Sequence, residues 1–276
     1  MIAIRRAPAS ESNPRLREEP ARNGESNDAW LARMKAKGGI VLIGGASLSH
    51  FRLRVAQSHL RQDLFPSFWS VAGILHDDGA TFDTVSLGWG WHSSVIPRTN
   101  AIQTRTVADY ADTWRYPNIA WLKFSTDGEK LREAVERIKA DRSIVDLPRL
   151  LLAWLGFSWG ASERGNPLLD GMGIPSACFV EAAFAIAGIE LTPSLASDAS
   201  CPEAIWQSAK WWVEYYEKTR REMKGTPVRV PEGVFALRQR EAAIRDENDG
   251  EPKSGGGTPR PSARRAKKPS RKGKVR

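Results

Sequence analysis

Cysteine is scarce in this sequence: 276 residues contain two, Cys178 and Cys201. One pair makes no disulfide framework. The chain also has no CxxC and no Cys/His group at metal-ligand spacing, so neither a metal nor a cofactor site is expected. Long apolar runs are missing as well. No window approaches the ~18 consecutive apolar residues that span a bilayer, so no transmembrane segment is expected. The opening stretch MIAIRRAPASESNPRLREEPARNGESND lacks an apolar h-region and does not read as a secretory signal peptide. Cytoplasmic residence is the default, with leaderless export left open. Internal repeats are absent.

Charge is unevenly placed. Between Glu251 and Arg276 there are five Lys, five Arg and one Glu, which accounts for the whole net charge of +9. The other residues therefore sum to zero, and a basic surface on the folded part is not implied. Residues 1–27 and the basic tail 248–276 are too polar to offset the entropy of ordering, so both are predicted to be disordered. A single α+β domain is expected over 28–247. Eleven tryptophans point to a well-packed core, a ligand cleft or both.

Local patterning fills in that domain. Helices are predicted at 29–37 and 47–62 on either side of a buried strand, Ile40–Ile43. Strands follow at Phe68–His76, Thr81–Leu87, Ala101–Thr106 and Asn118–Phe124, and the Asp77-Asp78-Gly79 turn joins the first two as a hairpin. Thr126 with Glu129, and Ser200 with Glu203, read as capping boxes. Further helices are predicted at Leu147–Leu155, Ala177–Ala187 and Glu232–Glu247, with a long loop over Gly156–Ser176. Strands first and helices later predict a small antiparallel sheet packed against helices.

The stretch most suggestive of chemistry is GMGIPSACFVEAAFAIAGIEL, Gly171–Leu191. Cys178 stands in the first turn of an apolar helix, where unpaired N–H groups and the helix dipole favour a thiolate. By that argument Cys178 is more reactive than Cys201. The competing reading is a small buried hydrophobe.

GGIVLIGGASLS, WSVAGILHDDG and the cysteine helix ending AGIEL follow one another in an order that resembles the circularly permuted branch of the NlpC-type papain-like superfamily. That superfamily holds cell-wall peptidases, amidases and lipid acyltransferase relatives. The corresponding motifs there are a GDIVL-like strand, a WSHVGI-like strand carrying the base histidine, and CSELV…AGL carrying the nucleophile. The resemblance implies a papain-like fold, Cys178 as nucleophile, and an amide or ester in a peptide, cell-wall or lipid-derived substrate. Trp69, Ser70, Gly73 and Ile74 match the strand motif, but Val71 stands in the histidine's place. It also implies that Val71 faces the N-terminus of the cysteine helix.

A thiol without a base is mostly protonated at neutral pH, so another histidine must substitute if the chain is an enzyme. His76 and His92 are the candidates. His76 is five residues on from Val71, and an odd offset in a strand turns it to the other face. Two functions compete: a cysteine hydrolase with a displaced base, or a non-catalytic binding module. In the second, Trp89–Trp91 and Trp159 wall a cleft, and the tail contacts a polyanion such as nucleic acid or an anionic surface.

Overall fold

The apolar run after Gly39 forms a strand, Ile40–Gly44, buried along its whole length. Ile40 and Leu42 point into one core, Val41 and Ile43 into a second. Burial on both faces explains why the run shows no polar alternation. A computed structural model gives the fold for residues 16–87, 97–161, 165–222 and 231–240. Its strands are β1 (Leu16–Glu18), β2 (Ile40–Gly44), β3 (Val71–Leu75), β4 (Thr81–Thr84), β5 (Gln103–Thr106), β6 (Asn118–Lys123) and β7 (Glu232–Leu237). They form one sheet in the order β1-β7-β6-β2-β3-β4-β5. Neighbours are antiparallel except β1 and β7, which are parallel.

Helices α1 (Asn27–Arg33), α2 (Leu48–Ala56), α3 (Gly128–Ala140), α4 (Leu147–Trp159), α5 (Pro175–Ile186) and α6 (Pro202–Glu222) complete an α+β fold. The larger core lies between one sheet face and α2 to α6. There Leu42, Ala72, Ile74, Ala120 and Leu122 meet Leu53, Ile138, Trp154, Phe179 and Ile205. The other face is covered more thinly by Trp30 and Leu31 of α1 with Val107 and Tyr110, over Ile43, Val71, Phe82 and Ile119.

Several expectations are corrected. Glu232–Leu237 is a strand, not the start of a helix over Glu232–Glu247. Val234 and Ala236 enter the thinner core while Phe235 and Leu237 pack against the larger one, and the strand is hydrogen-bonded on both sides, by β1 and β6. The sheet is consequently larger than expected, with one parallel pair. The ordered fold also begins before residue 28. Leu16 is buried and pairs with Gly233, the Trp30 indole donates to the Glu19 carbonyl, and Arg33 pairs with Glu25 at 2.7 Å. Residues 1–15 and 241–276, with the expected basic tail, lie outside the described residues.

Cap chemistry departs from both predicted boxes. Asp127, not Thr126, caps α3 by accepting from the Glu129 N–H. The Ser200 hydroxyl donates to Glu181, and the buried Glu203 carboxylate accepts from Ser67 and Gln207 instead of closing a cap. The loop predicted over Gly156–Ser176 is partly helical, since α4 runs to Trp159 and α5 starts at Pro175. No helix among the described residues is long and apolar enough to cross a membrane.

Candidate functional site at the two ends of strand β3

Proline at the first turn starts α5, and Ser176, Ala177 and Cys178 follow it. The helix lies against β3, but its cysteine does not face that strand. The group that does is Ser176, whose Oγ accepts from the Ala72 N–H at 3.2 Å. Cys178 turns instead toward the 171–174 and 199–201 segments. It is fully buried, and its Sγ lies 3.6 Å from the Ser200 carbonyl oxygen, to which the S–H donates. Gly173 makes this packing possible. A Cβ there would stand 2.4 Å from the Ser200 carbonyl oxygen and 2.6 Å from Cys178 Sγ.

Burial dominates the thiol's electrostatics. Desolvation, with Cys201 and Asp198 nearby, pushes the Cys178 thiol well above its ordinary range. Cys201 is also buried and is pushed up to about 12 by the same cause. The expected helix-dipole advantage is below one pKa unit and is outweighed by burial. The greater reactivity expected of Cys178 over Cys201 is thus not supported by its surroundings. No described histidine is hydrogen-bonded to Cys178.

Val71 belongs to the thinner core with Trp30 and Tyr110, whereas Ala72 and Ile74 share the larger core with Cys178. The strand lies beside α5, but Val71 is on the face turned away from it, which corrects the expectation that Val71 faces the N-terminus of the cysteine helix. His50 is the ring at this end of the strand. Its Nδ1 is 2.8 Å from Ser70 Oγ, and its edge meets Tyr116. Burial, with the Arg54 cation nearby, pulls it down to about 4 and keeps it neutral.

His76 stands just past the opposite end of β3, roughly 13 Å of strand from Ala72 at ~3.3 Å per residue. Both ring nitrogens are engaged. Nε2 lies 3.0 Å from Asp83 Oδ2, and Nδ1 lies 2.9 Å from Thr81 Oγ1. Because a carboxylate only accepts, Nε2 carries a proton. Asp83 is almost fully buried, accepts from Thr104 at 2.6 Å, and has Lys139 Nζ at 3.5 Å. The structure therefore does not bring His76 to Cys178, and the ring has no free nitrogen with which to take a proton from a thiol. His92 and Trp89–Trp91 lie outside the described residues.

What His76 does line is a cavity of about 770 Å³ between the sheet and α3. Its apolar wall comes from Ile74, Phe124, Leu131 and Val135. Around the polar side, Glu129 pairs with Arg132, and Glu136 and Asp83 with Lys139. Lys37, Lys123 and Asp77 also line it, and among the described residues these three form no ion pair. Sequence reasoning missed Asp83, Lys139 and Ser176. A legible signal existed for Asp83 alone, because β3 and β4 form the predicted hairpin that brings it beside His76. No described trio of His, Cys, Asp or Glu could hold a metal ion. Of the tryptophans further along the chain, Trp159 and Trp211 are under half exposed and Trp206 is buried.

Comparison with protein-family models, curated proteins and solved structures finds no match for this chain.

Proposed function

We propose that this chain is a non-catalytic binding domain, descended from a permuted NlpC-type papain-like hydrolase, that holds a small ligand in the cleft beneath α3. The observation that carries the reading is Cys178 itself: fully buried, its S–H directed at the Ser200 carbonyl, and its thiol raised by burial. Such a group supplies little thiolate and offers no approach to a substrate. The resemblance supports the same view. In that resemblance Cys178 holds the nucleophile's place, and the 171–174 and 199–201 segments seal it from solvent. Val71, in the histidine's place, has no basic group, and it faces the other core instead of the cysteine helix, so it stands where no base could serve Cys178. Nucleophile and base positions are both filled by residues suited to packing.

The cleft lies within the usual size range of small-molecule sites, about 300–1,000 Å³. An apolar wall beside two lysines and one carboxylate that form no ion pair among the described residues favours an amphipathic ligand with an anionic group. The basic tail supplies a separate contact to a polyanion, of the salt-sensitive kind that ten cations make.

Titration with 1-anilinonaphthalene-8-sulfonate, an amphipathic anion, tests the cleft. The expected result is one saturable site that weakens about tenfold in a Lys37→Glu, Lys123→Glu double variant of unchanged circular dichroism. Equal binding by the variant would remove the cleft assignment. Turnover of a thioester or peptide substrate that depends on Cys178 would remove the non-catalytic reading.

A further inference from the structure

We infer that the surface formed by the loop after α2 and the exposed side of α6 is a docking face for an anionic lipid bilayer. The loop presents Leu64 and Phe65 to solvent at 70% and 64% exposure. Leu64 is held at φ +57°, a left-handed conformation that a branched side chain rarely adopts. Arg61 fixes the turn through its ion pair with Asp63, and Asp63 in turn accepts from the Phe65 N–H. The loop is thus built to hold two large apolar side chains outward.

Leu60, four residues before Leu64, lines a shallow groove with Pro193, Leu195, Ala204 and Trp211. On that groove's α6 side, Trp211 and Tyr215 stack with rings 15° from parallel and remain nearly half exposed. Leucine and phenylalanine beside Trp and Tyr are the side chains that settle at the water–bilayer boundary.

Charge decides which occupant this face takes. The tail carries all of the chain's net +9. Stable peripheral attachment needs two signals, and an apolar insertion with a polybasic segment is one such combination. Anionic headgroups complement the tail while the acyl boundary takes Leu64 and Phe65. This inference rests on the reading of the tail as a polyanion contact. It adds an apolar element that nucleic acid would not use.

The experiment measures co-sedimentation of the full chain with phosphatidylserine–phosphatidylcholine vesicles, beside retention on heparin. Wild type is expected to bind both. A Leu64→Ser, Phe65→Ser variant should lose vesicle affinity at least about tenfold while keeping heparin retention, since two apolar side chains no longer leave water. Trp211→Ala should lower vesicle affinity in the same direction. Deletion of 251–276 should lower both. Vesicle binding equal to wild type in the loop variant overturns the docking face and leaves the tail reading standing. Loss of heparin retention in wild type alone overturns the tail reading. A dimer in lipid-free solution that the loop variant converts to monomer overturns the lipid assignment, because a second copy then covers this face.

Discussion

The two ends of β3 use polar groups in opposite ways. At the Ala72 end, Cys178, Ser176 and Ser70 are sealed in protein and satisfied by backbone or by each other's neighbours. At the His76 end, a buried carboxylate orients a partly exposed ring beside an open cavity. The difference teaches that a cysteine at a helix start is defined by what packs over it. Gly173, three residues before the helix's Ser176, closes this one off.

That contrast can be broken by substitution, beginning with the closed end. Gly173→Ala drives a methyl group into the Ser200 carbonyl and Cys178 Sγ, and should destabilise the fold by about 3 kcal/mol in urea unfolding. A loss below about 0.5 kcal/mol would mean that the segment over the thiol is loose. At the open end, Asp83→Ala strips the acceptor from His76, Thr104 and Lys139. The expected cost is about 2 kcal/mol, with the cleft probe weakened through the reoriented ring. Unchanged probe binding would separate His76 from the ligand site.

A third test uses acid. His50 is lowered to about 4 in the folded chain from an ordinary value of 6.5, so between those values the unfolded chain binds a proton that the folded chain does not. Stability attributable to His50 is therefore present above 6.5, is lost as pH falls toward 4, and changes no further below that. The difference between wild type and His50→Gln unfolding curves should shift by roughly 2 kcal/mol across this window. Curves that run parallel from pH 7 to 4 would show that the ring is solvated. The smallest effect is expected of Cys178→Ala, about 1 kcal/mol of stability and no change in probe binding.

Much of this arrangement was legible in the sequence. The apolar runs at Ile40–Ile43 and Asn118–Phe124 and the Asp-Asp-Gly turn placed four neighbouring strands, and the apolar stretch predicted as a helix over Ala177–Ala187 placed α5 within two residues, missing only its Pro175 start. Parity also held: His76 and Val71 do lie on opposite faces. What parity could not tell is which face α5 covers, because that depends on helices distant in sequence packing over Ala72 and Ile74. Strand β7 was hidden for a related reason. Its alternation serves two cores, so both sets of positions are apolar, and the polar run after Leu237 resembles a helix surface. β1 has only Leu16 to bury and exists because β7 offers it hydrogen-bonding partners.

The central claim is that Cys178 is a packed thiol. It is tested most directly by the rate at which iodoacetamide modifies each cysteine of the folded chain from pH 5 to 9, followed by mass spectrometry. Both Cys178 and Cys201 should stay unmodified until urea unfolds the chain, then react alike with the profile of an ordinary thiol. Alkylation of folded Cys178 with a midpoint below neutral pH, abolished by His76→Ala or His92→Ala, would contradict the account and restore the cysteine hydrolase.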